Sequence, residues 1–245
     1  TAGVPVAISI LVAEKLAQGD FRGANKVFRV ALVLLAVTGL FFTLLVFSSA
    51  YALAERVLQE PRAFYPIVAI SPAIFLTAVV SAFRGYFQGH QEMWPTALSQ
   101  VTEQLVRVVT VLTGAWVLLP HGMEFGAAAA TFGAVTGGGA ALLVLLILYF
   151  RLPRPKGQHG AFYSRESVAS LTKRIVQIAL PLSVGGLVIP LMQLVDALIV
   201  PMRLQAAGLT AARATELFGQ LTGMAGSLIN LPAVITSSLA SSLVP

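Results

Sequence analysis

The sequence predicts an all-α, polytopic transmembrane helix bundle, and two observations support this fold class. Three long apolar runs, at 30–54, 63–83 and 125–150, contain no Asp, Glu, Lys or Arg. A helix needs roughly 20 apolar residues to cross the hydrocarbon core of a bilayer. Charged residues make up only 11% of the chain, against roughly 25% in soluble domains. A soluble helical core would need polar faces that these runs lack.

The apolar runs define the helices in order. A short first helix ends near residue 16, and a loop around Gly19, Asp20 and Gly23 follows it. Six longer helices are predicted at 27–54, 64–88, 95–119, 124–150, 174–202 and 215–243. Short links make successive helices antiparallel neighbours. Transmembrane helices tolerate internal prolines when neighbouring helices satisfy the freed backbone groups. Prolines lie within or near these helices at Pro72, Pro181, Pro190, Pro201 and Pro232.

Both ends of the sequence suggest a longer protein. The chain starts at Thr1 without the features of a signal peptide. Its opening apolar stretch, to residue 13, is too short to span a bilayer. The last apolar run reaches Pro245. We therefore expect coding sequence on both sides.

Loop charges predict the orientation. If the first loop is cytoplasmic, then loops 14–29, 84–94 and 151–174 share that side. Basic residues are concentrated there, as the positive-inside rule requires. They gather in loops and not along one helical face, so they do not indicate a nucleic-acid site. The bases on this side are Lys15, Arg22, Lys26, Arg29, Arg84, Arg151, Arg154, Lys156, Arg165, Lys173 and Arg174, against Arg56, Arg62, Arg203 and Arg213 opposite.

Two charges lie in the middle of a predicted membrane helix. Glu103 and Arg107 are four residues apart and therefore share a helical face. A charge at mid-bilayer costs about 2.5–3.5 kcal/mol, so this face should meet the bundle interior or a wet cavity. Two interpretations stay open, a purely structural ion pair and a pair that lines a substrate path. The same face carries Thr96, Ser99, Gln100, Thr110 and Gly114.

Polar stripes recur on other helices, and four stripes in one bundle suggest a shared hydrated cavity. Asp196 is ambiguous, because an acid near the outer interface would simply be solvated. The stripes comprise Thr77, Ser81, Arg84 and Gln88; Ser183, Gly186, Pro190, Gln193 and Asp196; and Gln220, Gly223, Ser227 and Asn230. The 124–150 helix instead carries small residues at close spacing, which favour tight helix packing without chemistry. These are Gly126, Ala130, Gly133 and Gly137.

Several segments resemble the stage V sporulation protein B family of polysaccharide biosynthesis proteins. They are AGVPVAIS at 2–9, VAEK at 12–15, SAFRGYFQG at 81–89, PTALSQ at 95–100 and EQLVR at 103–107. The FRGYFQG stretch is the most specific. The family is related to the MurJ-type lipid II flippases, in the superfamily that also contains multidrug and toxic-compound extruders.

The resemblance implies about fourteen helices in two lobes and assigns parts of the chain to them. Residues 1–150 would form the N-terminal lobe, from the end of helix two to helix six. Residues 151–173 would be a basic cytoplasmic linker, with a short interfacial helix at 164–173. Residues 174–245 would begin the C-terminal lobe.

The resemblance also implies a bacterial plasma-membrane flippase that moves an undecaprenyl-diphosphate-linked oligosaccharide or peptidoglycan precursor by alternating access. Its partners would be that lipid-linked saccharide and membrane lipid, and no cofactor is implied. The arginines would meet the diphosphate, with Lys15 as a further candidate. Glu103 and the glutamines would bind sugar hydroxyls or tune Arg107. The predicted cavity residues are Arg84, Gln88, Gln100, Glu103, Gln104 and Arg107. Basic residues in the first helix of MurJ-type flippases have no counterpart in this sequence.

Two other functions stay open. A cation-coupled multidrug exporter would share the fold and use Glu103 or Asp196 for ion coupling. A membrane enzyme acting on the same carrier would need catalytic residues that the sequence does not indicate. The histidines, at 90, 121 and 159, fall in predicted loops, and cysteine is absent. We therefore expect no enzyme and no metal site. The sequence does not select the saccharide, the coupling ion or the oligomeric state.

Overall fold

A computed structural model describes residues 3–58, 60–151 and 166–226. Within these ranges five helical segments are long and apolar enough to cross a membrane. The predicted all-α, multi-pass fold is therefore confirmed. The helices are α1 Gly3–Ala17, α2 Phe21–Ala52, α3 Phe64–Gly89, α4 Trp94–Leu118, α5 Met123–Arg151, α6 Val168–Ala206 and α7 Ala211–Gly219. Short π or 3-10 turns lie at Leu53–Val57, Pro61–Ala63, Leu119–His121 and Gln220–Ala225.

Two helices begin earlier than the apolar pattern predicts. The Asp20 carboxylate accepts the Gly23 N–H at 2.7 Å and caps α2, so the predicted loop shrinks to residues 18–20. The Ser167 hydroxyl likewise accepts the Ser170 N–H at 3.1 Å where α6 begins. Residues 168–173 are helical and continue directly into α6, which runs unbroken to Ala206. The interfacial helix predicted at 164–173 stays a prediction, and residues 164 and 165 lie outside the described ranges.

Other predicted boundaries also move. The link between α3 and α4 covers only residues 90–93, so most of the predicted loop at 84–94 is helical. The last predicted helix, 215–243, is described only as far as residue 226, where α7 is followed by the π turn.

The chain divides into two compact units, Thr1–Gly186 and Leu187–Pro245. The first unit contains α1 to α5 and the first part of α6. The second contains the remainder of α6 and α7. The lobe boundaries expected at residues 150 and 173 stay a prediction.

An aromatic core holds one end of the first unit together. Phe28 of α2 packs against Phe83 and Tyr86 of α3, with ring centroids 5.1 and 4.6 Å apart, and against Tyr149 of α5. Phe28 and Phe83 are almost completely buried. The start of α2 and the ends of α3 and α5 therefore lie at one end of the unit. The predicted cytoplasmic segment 14–29 and the link after α3 belong to this end, and α5 ends here at Arg151.

An ion clamp fastens the start of α6 at the same end. We use this name for Glu14, Lys15, Lys26, Glu166 and Arg174. Arg174 donates to Glu14 at 2.9 Å, and Lys15 donates to Glu166 at 3.0 Å. Lys26 donates to the backbone carbonyl of Glu166. The charged first turns of α6 are thus fixed to α1 and α2, which explains why they stay helical beyond the apolar run.

Pro72 lies inside α3, and α2 compensates for it. Proline has no N–H, so it breaks the regular helical hydrogen-bond ladder. The Thr43 hydroxyl of α2 inserts just beyond this break: it donates to the Ser71 carbonyl at 3.2 Å and accepts the Phe75 N–H at 3.1 Å. A neighbouring helix therefore supports the interrupted ladder, as expected for a transmembrane proline.

Replacing Thr43 with Val should weaken this junction, because valine keeps the shape but removes the bridging hydroxyl. We expect a loss of about 1 kcal/mol in the free energy of unfolding, typical of hydrogen bonds between membrane helices. Denaturant unfolding of the purified chain in detergent measures it. Thr38→Val is the matched control, because among the described residues the Thr38 hydroxyl donates only within α2. Equal destabilisation by both substitutions would contradict the bridging role.

Candidate functional site

The FRGYFQG stretch occupies the last turns of α3, and its side chains point to different neighbours. Phe83 and Tyr86 face the aromatic core, where the Tyr86 hydroxyl donates to Asn25 at 3.2 Å. Gly85 and Gly89 face α1. A Cβ atom at Gly85 would lie 2.7 Å from the Pro5 carbonyl oxygen, and one at Gly89 would lie 2.6 Å from the Val12 Cβ. Only glycine allows α1 to approach α3 this closely.

Arg84 extends from the same stretch towards α4. Its Nη2 donates to Glu103 Oε2 at 2.8 Å, and its Nε donates to the Ser99 hydroxyl at 3.1 Å. Ser99 is fully buried and donates to the Thr96 carbonyl of its own helix. Arg84 is therefore held at two points on α4.

Glu103 also binds Arg107, so it bridges two arginines. Its Oε1 accepts from Arg107 Nη2 at 2.7 Å, across one turn of α4. We call Arg84, Glu103 and Arg107 the charge triad. The side chains of Arg84 and Glu103 are each 17% exposed, whereas that of Arg107 is 36% exposed. The predicted pairing of Glu103 with Arg107 is confirmed, and the bridge to α3 is an addition that sequence reasoning missed.

The missed bridge has a signal in the sequence. α3 and α4 are antiparallel and joined by a short link, so residues equidistant from that link face each other. Arg84 and Ser99 are nearly equidistant from residues 90–93. The long arginine side chain then reaches one turn further, to Glu103.

The triad carries two positive charges and one negative charge. A guanidinium offers several N–H donors, and most of those on the two arginines are unused within the described residues. Arg107 Nε is buried without a hydrogen-bond partner in that part of the chain. The arrangement therefore leaves positive charge and donors available to an anion.

The glycines of α5 bring that helix against the triad. A Cβ atom at Gly137 would lie 2.7 Å from the Glu103 carbonyl oxygen. One at Gly133 would lie 3.2 Å from the Arg107 carbonyl oxygen. The Thr136 hydroxyl also donates to the Thr110 hydroxyl at 2.8 Å. The tight packing predicted for this small-residue stripe is confirmed. Gly133 and Gly137 of the stripe lie against the α4 backbone that carries Glu103 and Arg107.

The other predicted site residues are not part of the charge triad. Gln88 is half-buried one turn beyond Arg84, and Gln100 and Gln104 are exposed on α4. None of these amides has a hydrogen-bond partner among the described residues. Asp196 is exposed and belongs to the second unit. Lys15, a further candidate for the diphosphate, instead pairs with Glu166 in the ion clamp.

A separate cleft of about 610 Å³ opens between helices of the first unit. Its lining is largely apolar, with hydroxyl groups from Thr38, Thr77 and Ser81. The lining contains part of the predicted α3 stripe but no member of the charge triad. It comprises Val4, Leu35, Thr38, Gly39, Phe42, Ile70, Ala73, Ile74, Thr77, Ala78, Ser81 and Ala134.

Comparison with known proteins identifies the family. A family model described as polysaccharide biosynthesis protein matches residues 1–245. The chain belongs to this family. The membership predicted from the FRGYFQG stretch and its companions is thus confirmed. No solved structure matches this polysaccharide biosynthesis protein.

Three relatives from Bacillus subtilis (strain 168) match nearly the whole chain. Stage V sporulation protein B is 36% identical over 243 residues, which cover 99% of this chain and 47% of the relative. Lipid II flippase MurJ is 28% identical and covers 100% and 47%. The uncharacterized membrane protein YabM is 30% identical and covers 100% and 45%. The chain therefore spans about half the length of these relatives.

Replacing Gly137 with Ala should displace α4, because the new Cβ would collide with the Glu103 backbone. Overpacking of this kind typically costs about 1–3 kcal/mol, and denaturant unfolding in detergent measures it. Gly139→Ala is the matched control on the same helix, since a Cβ atom at Gly139 would have no neighbouring atom within 4 Å. Unchanged stability of the Gly137 variant would contradict the close α4–α5 contact.

Proposed function

We propose that the chain is part of a membrane flippase for a lipid-linked saccharide. The substrate would be an undecaprenyl-diphosphate-linked oligosaccharide or peptidoglycan precursor, moved from the inner to the outer leaflet by alternating access. The observation that carries this proposal is the charge triad, a net-positive cluster held between membrane helices of a polysaccharide biosynthesis protein.

The triad suits the polar part of such a substrate. Arginines bind phosphate oxygens through strong charge-assisted hydrogen bonds, and Arg84 and Arg107 retain unused donors. Gln100 and Gln104 lie exposed beside Arg107 on the α4 surface, where amides can bind sugar hydroxyls. Gln88 extends the polar surface along α3. The polyprenyl tail would stay in the bilayer throughout.

The position of the triad suits access from the inner leaflet. Arg84 is in the last turns of α3, next to Phe83 of the aromatic core, and Arg107 is further along α4. If the predicted cytoplasmic orientation holds, a diphosphate arriving from the inner leaflet meets Arg84 first. Residues 1–150 and the segment from 174 would be the moving lobes, joined by the basic linker at 151–173, as in other alternating-access transporters.

The relatives support this class of substrate. Their names include a lipid II flippase and a sporulation protein. A multidrug exporter that takes up lipophilic cations is the alternative, with Glu103 or Asp196 as the coupling acid. The triad disfavours it, because Glu103 is already paired with two arginines and the excess positive charge would repel a cation.

Replacing Arg84 or Arg107 with Ala in the full-length protein should lower translocation about tenfold or more, since each change removes charge-assisted hydrogen bonds to phosphate. The measurement is complementation of a depleted strain, with membrane insertion checked by immunoblotting. Arg62→Ala is the control, because Arg62 is exposed in the turn before α3. Full complementation by both triad variants would refute the site.

Depletion of the full-length protein identifies the substrate. We expect a polyprenyl-diphosphate-linked saccharide to accumulate on the cytoplasmic face, and mass spectrometry of extracted lipids would name it. Normal lipid-linked precursors, together with lost export of lipophilic cations, would favour the exporter instead.

A further inference from the structure

Glu103 occupies the place where an anionic substrate would bind. Its two carboxylate oxygens take a donor from each arginine, at 2.8 Å from Arg84 and 2.7 Å from Arg107. Guanidinium groups recognise phosphates as they recognise carboxylates, and a phosphate held by the unused donors of both arginines would lie beside the Glu103 carboxylate. The two anions would repel each other there, so they compete for the two arginines.

We infer that Glu103 is an internal counter-ion that the substrate diphosphate displaces on binding and that returns to the arginines to release it. This inference rests on the proposed flippase function. It assigns to Glu103 the regulation of affinity, not contact with the sugar.

The anchoring of Arg84 makes such an exchange workable. Its Nε is bound to the fully buried Ser99, and Ser99 is itself fixed to the Thr96 carbonyl. Arg84 therefore keeps its place when Glu103 moves away. The Glu103 carboxylate, by contrast, is at the end of a flexible side chain and can rotate away from the arginines.

Arg107 offers the route by which the diphosphate would enter. It is the most exposed member of the triad, with 36% of its side chain exposed. A diphosphate can bind the open side of Arg107 first and then replace Glu103 at Arg84. The triad thus exchanges one anion for another and leaves neither arginine without a counter-ion, which a low-dielectric site requires.

The covalent attachment of Glu103 beside the two arginines explains why release of the diphosphate is also possible. Two arginines without a counter-ion would hold a diphosphate strongly and slow its departure. Glu103 is covalently attached beside both of them, so its effective concentration is high. The carboxylate therefore lowers affinity and speeds release, and a transporter needs both effects.

The test compares variants of the full-length protein in nanodiscs, with undecaprenyl diphosphate and inorganic pyrophosphate as probes. Glu103→Gln removes the competing charge at nearly constant volume. We expect it to bind both probes about tenfold more tightly, the scale of one charge-assisted hydrogen bond. Lipid translocation at saturating substrate should be slower than in the wild type. Glu103→Asp, whose shorter carboxylate reaches the arginines less well, should fall between the two.

A protein without the two arginines distinguishes competition for the arginines from an effect of Glu103 on packing. In a protein carrying Arg84→Gln and Arg107→Gln, the Glu103→Gln change should no longer alter affinity, because nothing is left to compete for. Thermal unfolding identifies which variants are folded, and Glu103→Asp provides the comparison if Glu103→Gln is not.

Equal or weaker diphosphate binding by folded Glu103 variants would overturn the inference, as would a gain that persists without the arginines. In either case the proposed function would stand if Arg84→Ala and Arg107→Ala still abolished translocation. Full translocation by both arginine variants would instead remove the proposed function itself.

Discussion

Charges inside a bilayer must be paired, and this requirement shapes the first unit. An isolated charged side chain at mid-membrane is costly, and water is not available there to solvate it. The protein answers with a bridge between helices: Glu103 of α4 takes Arg84 from α3 and Arg107 from its own helix. The same bridge that neutralises the charges fixes α3 against α4. The bridge therefore both pairs the charges and positions α3 against α4.

Such a bridge forms only if the helices are spaced correctly, and glycines set the spacing. Charge-assisted hydrogen bonds need donor–acceptor distances of about 2.7–2.9 Å, so a small shift of α4 would break them. Gly137 lets α5 touch the Glu103 backbone, and Gly85 lets α1 touch α3 beside Arg84. The most specific sequence motif of the chain thus combines both requirements, with a charged residue directed at one helix and its neighbouring glycine at another.

The sequence predicted what a single helix encodes and missed what depends on contacts between helices. The α3, α4 and α5 bounds agree with the predicted helices 64–88, 95–119 and 124–150 to within one residue, because hydrophobic length is a local property. The Glu103–Arg107 pair was also predictable, since residues four apart share a face.

The starts of α2 and α6 were not predictable from apolar length, because they depend on capping by Asp20 and Ser167 and on charged first turns. Lys15 was a candidate for binding the substrate diphosphate, but it pairs with Glu166, which is 151 positions away in the sequence. No periodicity along α1 indicates such a contact. The bridge from Arg84 to Glu103 was missed for the same reason, although the short link between α3 and α4 makes it intelligible afterwards.

The Arg174–Glu14 pair of the ion clamp and the Arg84–Glu103 pair of the charge triad use the same chemistry in different surroundings. Arg174 and Glu14 are about one-third exposed at an end of the unit. Solvent-exposed pairs of this kind are worth about 0–1 kcal/mol, so such a contact can open without a replacement partner. The Arg84–Glu103 pair is more enclosed, with each side chain 17% exposed, so breaking it would leave a buried charge uncompensated. On the proposed function, release of Glu103 from Arg84 would therefore require another anion in its place, and the triad would select an anionic ligand.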